Sequence, residues 1–258
     1  MRSKDMRINK YLSDIGICSR READRLVSEG RITINGSVAQ MGDRVGGDDT
    51  VQVDGKVVSG RESDEKVIIA YNKPRGIVCT SEKREKHNII NAINYPVRIY
   101  PIGRLDKDSN GLILLTNDGS VVNRLMRARY HHEKEYEVTV DKAVDDEFIK
   151  SMSNGVPILD TVTRPCKVRK TGDKSFNIIL TQGLNRQIRR MCAEFGYRVE
   201  DLLRIRVVNL QLGDLKEGDI RQADESEIRG LRAALEKEDG RNAKKDNGIS
   251  KRGSAQYD

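Results

Sequence analysis

Within Arg104–Asp118, RLDKDSNGLILLTND, the oxygen-bearing residues Asp106, Asp108 and Asn110 alternate and are followed by Gly111 and Ile113. That spacing opens a helix-loop-helix calcium loop, in which alternate oxygens converge on the ion and the glycine makes the sharp turn. The rest of the loop is wrong for calcium. Its twelfth position, which should supply a bidentate glutamate, is Asn117, its ninth is the aliphatic Leu114, and Pro101 and Gly103 exclude a regular entering helix. The carboxylates therefore need another use.

A second constellation is basic. In GLNRQIRRMCAEF, a helix over about 185–195 puts Ile188, Met191, Cys192 and Phe195 on one face. Arg186 and Arg190 lie opposite, Arg189 lies at the border, and Gly196 ends the helix. An amphipathic surface helix with solvated arginines is the plain reading. Three guanidiniums within five positions and few acids nearby point instead to phosphates, which arginine binds in bidentate fashion.

The remaining chain must position these groups. Strands are expected in KVIIAYNKPRGIVCT (two, around a turn at Pro74 and Gly76), LILLT, EYEVTV and FNIILTQG, and helices over about 119–129 and 145–154. The first sixty residues read as a separate module. Ile8, Tyr11 and Leu12 share one side of a short helix stopped by Gly16. Ser19 and Glu22 form a capping box for a second helix with the stripe Ala23, Leu26 and Val27, and Gly30 suits its exit. Asn35-Gly36 and Asp54-Gly55 are hairpin turns. These features give an α+β chain with domains at 1–60 and 67–235, a polar linker at 61–66 and a polar, disordered tail at 236–258.

With 258 residues, 36% hydrophobic and 34% charged, the chain can build two cores and has no apolar run suited to a membrane span or a signal peptide. A cytoplasmic protein without membrane contact is expected. Cys18, Cys79, Cys166 and Cys192 are too scattered for a zinc motif or a disulfide framework, and no metal site is read. Adjacent His131 and His132 read as solvated side chains. The net charge of +7 favours a polyanionic partner. Residues 1–60 carry ten basic and nine acidic side chains, but eight of the basic ones precede residue 32 while Asp43, Asp48, Asp49 and Asp54 follow. One face of the module is therefore basic, including Arg7, Lys10, Arg20, Arg21 and Arg25.

The stretch RINKYLSDIGICSRREADRLVSEGRITINGSVA resembles the small alpha-L RNA-binding module of ribosomal protein S-four. The motifs YNKPRGIVCT, PIGRLDKDSNGLILLTNDG, KEYEV and GLNRQIRRM resemble, in order, those of the pseudouridine synthases, in the branch typified by ribosomal small-subunit pseudouridine synthase A. That resemblance implies a catalytic domain with a central, mainly antiparallel sheet flanked by helices. It also implies isomerisation of a uridine in large-subunit ribosomal RNA, with transfer RNA left open as a further substrate.

On this reading Asp106 is the nucleophile, Arg189 is the guanidinium that keeps it ionised, and Tyr136 stacks on the uracil and aids proton removal. Arg104, two residues before Asp106 in an extended strand, fills the place vacated by the flipped base. Lys73, Arg186 and Arg190 join the RNA-binding set. The reaction is an isomerisation without redox change or group donor, so no cofactor is needed. A monomer is expected. The alternative is a non-catalytic RNA-binding or ribosome-assembly protein on the same scaffold.

Overall fold

The computed structural model describes residues 6–58, 66–82, 84–126 and 132–236. It divides into two compact units, one of residues up to 66 with Tyr95–Arg98 and Asn117–Gly119, the other of the remainder. The expected linker at 61–66, apart from Lys66, and the expected tail beyond Glu236 lie outside the described residues.

In the first unit, β1 (Met6–Arg7), α1 (Ile8–Asp14) and α2 (Arg20–Ser28) precede β2 (Ile32–Ile34), β3 (Ser37–Val38), β4 (Arg44–Val45), β5 (Val51–Val53) and β6 (Lys56–Val57). Ser19 caps α2, its hydroxyl accepting from Glu22 N at 3.1 Å. Antiparallel strands run in the order β3-β2-β5-β6, and their hairpin turns place Asn35 and Asp54 at positive φ, the conformation these residues tolerate ahead of glycine. Ile8, Leu12, Ala23, Leu26, Val27 and Ile32 close the core between helices and sheet.

In the second unit, β7 (Ile68–Lys73), α3 (Ile89–Ile93), β8 (Tyr100–Ile102), β9 (Asn110–Thr116), α4 (Gly119–Met126) and β10 (Lys134–Val140) come first. They are followed by α5 (Asp146–Ser153), β11 (Pro157–Ile158), β12 (Thr161–Val162), β13 (Lys167–Gly172), β14 (Ser175–Leu180) and α6 (Gln187–Glu194). Then come β15 (Val199–Val207), β16 (Leu210–Gln211), β17 (Ile220–Gln222) and a helix over residues 225–236. The main sheet runs β13-β14-β10-β15-β9-β7-β17, antiparallel throughout except where β15 lies parallel to β9. The α+β class and the mainly antiparallel sheet agree with the sequence.

Two local expectations fail. Past Pro74 there is no second strand, only an isolated bridge between Val78 and Asn88. Residues 104–106 are not a strand either, because β8 ends at Ile102 and Gly103 turns the chain at φ +88°. The helix expected over about 119–129 is seen as α4 to Met126, beyond which residues 127–131 lie outside the description.

The parallel step brings β9 and β15 unusually close. Gly111, at φ +101°, pairs with Arg204, and a Cβ there would sit 2.6 Å from Arg204 N. Only glycine allows both the turn into β9 and this approach. The loop leading into β9 carries Asp106, so this contact fixes where that carboxylate sits.

Candidate active site

The loop from Gly103 to Ser109 is fastened from three sides. Leu105 N donates to Cys79 Sγ at 3.3 Å, Gly76 N donates to Lys107 O at 2.7 Å, and Ser109 N closes the turn on Asp106 O at 3.1 Å. Two arginines complete the hold. Arg186, at the start of α6 in the left-handed region (φ +51°), forms a bidentate pair with Asp108, at 3.0 Å from Nη1 to Oδ1 and 2.8 Å from Nη2 to Oδ2. Arg189 donates to Asp108 O at 3.0 Å, to Val199 O at 3.1 Å and to Ser109 Oγ at 3.5 Å. The bonded Arg186, then the nearby Arg189, hold the Asp108 carboxyl below the usual range against the opposing effect of its partial burial.

The expected Arg189–Asp106 pair does not form. The Arg189 Nε contact is with Asp108 Oδ2 at 3.6 Å, and the guanidinium nearest Asp106 is Arg186, with Nη1 4.0 Å from Oδ2. The helix explains the shift. It starts at Gln187 rather than 185, so Arg186 sits on the preceding turn and swings toward the loop, while Arg189 lies deeper, 14% exposed, against backbone carbonyls. The scarcity of acids near this arginine cluster holds only along the chain, because Asp108 reaches it across the fold. Arg190 is exposed and folds back on Asn185 O at 3.1 Å.

Asp106 opens onto a cleft of about 550 Å³ whose lining includes Arg104, Asp106, Lys134, Tyr136, Arg186 and Arg204. Arg104 thus shares the cleft with Asp106, although from a loop rather than a strand. Tyr136 comes from β10, where it pairs with Arg204 of β15, whose guanidinium carbon is 6.0 Å from the ring centroid. Lys134, two residues earlier in the same strand, shares that face. Burial, with Arg204 adding to it, pushes its ammonium down to about 8.

Two expectations are corrected here. Lys73 cannot contact RNA, being fully buried with its ammonium bound to Pro74 O (2.7 Å) and Ile77 O (3.0 Å), where it braces the turn beside the Asp106 loop. His132 is not solvated but 6% exposed at the cleft's edge, and burial pushes its pKa down, whereas His131 lies outside the described residues. Sequence reading missed Lys134 and Arg204. The signal was there: Lys134 is in phase with Tyr136, and Arg204 is in phase with the buried Leu202 on β15.

Residues 67–194 match the family model for RNA pseudouridylate synthase, and residues 6–51 match that for the S4 domain. The dual-specificity RNA pseudouridine synthase RluF of Salmonella typhi is 53% identical over 230 residues, covering 89% of this chain and 80% of that protein. The chain belongs to the RNA pseudouridine synthase family. Ribosomal large subunit pseudouridine synthase B of Bacillus subtilis is 34% identical, covering 88% of this synthase and 96% of the relative. A solved pseudouridylate synthase superposes with a TM-score of 0.64 at 27% identity, covering 88% of this chain and 99% of its own. The synthase thus carries an S4-type unit ahead of its catalytic unit, and the non-catalytic alternative is set aside. Among the described residues no helix is long and apolar enough to cross a membrane.

Proposed function

We propose that this synthase converts a specific uridine of 23S ribosomal RNA to pseudouridine in the cytoplasm, acting as a monomer, with transfer RNA as an additional substrate. The observation that carries the catalytic part is the meeting of Asp106, Tyr136 and Arg104 in one cleft, with Arg186 4.0 Å from the Asp106 carboxylate. The RNA class rests on the names of the relatives, one of which is called dual-specificity and another large-subunit.

The chemistry follows from the groups present. The target base leaves its stack, at a cost of a few kcal/mol, and enters the cleft, while Arg104 at the rim takes the vacated place. The bond from uracil N1 to C1′ breaks as the Asp106 carboxylate takes C1′, and the freed base turns so that C5 attacks the same carbon and displaces the carboxylate. Tyr136 stacks on the base and assists removal of the C5 proton, while N1 gains a proton, so the product is an isomer of the substrate. Arg186 supplies positive charge beside Asp106, and Arg189 positions the loop through Asp108 and Ser109.

The amino-terminal unit supplies phosphate contacts. Arg7, Arg20 and Arg21 are exposed and, among the described residues, have no acidic partner. Lys10 is paired with Asp14 at 2.6 Å, and Arg25 is held by Glu22 and Glu29, both also at 2.6 Å. Joint replacement of Arg20 and Arg21 by Gln is expected to weaken RNA binding and flatten its salt dependence by about 0.7 in log–log slope per lost contact. The turnover rate at saturating RNA should not change. Arg25→Gln should have the smaller effect on affinity, and equal losses in titrations over a salt series would assign the contact surface wrongly.

The whole reading is tested by mapping pseudouridines, through carbodiimide-blocked primer extension, in 23S and transfer RNA from cells with and without the protein. One 23S position, together with a transfer RNA position, should revert to uridine in its absence. An unchanged 23S map would overturn the substrate assignment.

A further inference from the structure

Arg204 lies beneath the cleft, 2% exposed. Its Nε donates to Leu112 O at 2.6 Å, but its Nη2 is buried with no hydrogen-bond partner. No carboxylate among the described residues lies within ion-pair distance of it. A buried cation without a counter-ion is costly, and a donor left unmet in the interior adds to that cost. Its neighbours make matters worse. Lys134 lines the same cleft, its Nζ donating, among the described residues, to His132 O alone at 3.2 Å, and the positive charge of Arg204 bears on both Lys134 and the buried Lys73. The cleft therefore places the cationic donors of Arg204 and Lys134 on one lining, which the carboxylate of Asp106 and the guanidinium of Arg186 share.

We propose that Arg204, assisted by Lys134, is the anion hole that receives the negative charge uracil acquires when its bond to the sugar breaks. This inference rests on the reading of Asp106 and Tyr136 given above. When N1–C1′ breaks, the bonding pair stays with the base and spreads over N1, O2 and O4, while C1′ is covered by the carboxylate. A donor aimed at charge that develops during the reaction, in a site closed to water, is worth more than one satisfied beforehand. This accounts for an arginine kept buried with a free N–H. Tyr136 lies over the guanidinium, so the ring proposed to stack on the base and the donors proposed to hold its oxygens face one space. Once C5 has bonded to C1′ and the C5 proton has gone, N1 takes up a proton, the base is neutral again and its hold on the floor weakens.

The test compares an RNA target carrying uridine with the same RNA carrying 5-fluorouridine, in single-turnover reactions at saturating enzyme. Loss of the parent nucleoside from RNA digests is the readout. Fluorine stabilises the departing uracil anion, so dependence on an anion hole should fall. Arg204→Gln is expected to slow loss of uridine about 100-fold, of the size seen when one such donor is removed. RNA affinity should stay within about twofold, and the deficit on 5-fluorouridine should be several-fold smaller. Equal deficits on the two substrates, or a deficit accounted for by lost RNA affinity, would overturn the proposal. Circular dichroism checks the fold of the variant, and if it does not fold, Lys134→Met carries the same comparison with the same two outcomes. Asp106→Asn separates the readings: near-normal conversion by that variant would remove the nucleophile, while relief by fluorine in the Arg204 variant would still locate charge on the base.

Discussion

Replacing Asp106 by Asn is expected to abolish conversion, with a loss on the order of 10⁴-fold or more, as when a reacting group is removed from a site whose other parts remain. The substitution is nearly isosteric and the side chain is 33% exposed, so the melting temperature and RNA affinity should stay close to those of the parent. The backbone bond from Ser109 N to Asp106 O does not depend on the side chain, so the loop keeps its shape. What disappears is the charge: an amide cannot cover the sugar centre and gives Arg186 nothing to face. The measurement is single-turnover release of tritium from C5-labelled uridine in the target RNA. Tritium released at near the parent rate would show that this carboxylate does not carry the reaction.

The second large effect concerns Arg189. Arg189→Leu should lower both stability and activity, because its guanidinium serves carbonyls on two different elements, Val199 O on β15 and Asp108 O on the active-site loop. Removing it strands the part-buried Val199 O, frees the more exposed Asp108 O and leaves the Asp108 carboxylate one cation short. The expected cost is about 1–3 kcal/mol in urea unfolding. Conversion should fall at least about 100-fold even at temperatures where the variant is fully folded, because a loop displaced by about 1 Å misplaces Asp106. Arg190→Leu should change stability by less than about 0.5 kcal/mol, because the exposed Arg190, among the described residues, folds back on Asn185. A folded Arg189 variant with parent-like turnover would show that the loop is held well enough by Arg186, Cys79 and Gly76.

Much of the frame was legible along the chain. The helix cap at Ser19, the Asn35-Gly36 and Asp54-Gly55 turns, the apolar run of β9 and the alternation in β10 and β14 are local signals, set by dihedral preference and by which face each side chain meets. The failures have local causes as well. The second strand expected after Pro74 does not pair beyond a single bridge, and Gly103 breaks the strand that was to carry Arg104. Lys73 was placed in the RNA-binding set by resemblance and His132 was read as solvated, yet each is buried, the lysine with backbone oxygens to satisfy it.

By itself the sequence determined the α+β class and the order of the motifs, which already set Asp106 ahead of Tyr136 and of an arginine-rich segment. It could not determine which arginine meets which carboxylate. Asp108 and Arg186 are 78 positions apart, and their bidentate pair depends on where α6 begins and on how β9 lies against β15. The same holds for Arg204. Its in-phase position next to Leu202 could be read from the strand, but that its guanidinium has an unmet donor under Tyr136 follows only from the stacking of three strands around it. Local dihedral and hydrophobic preferences act over a few residues, whereas the pairing of charges is decided by distances that exist only after the chain has folded.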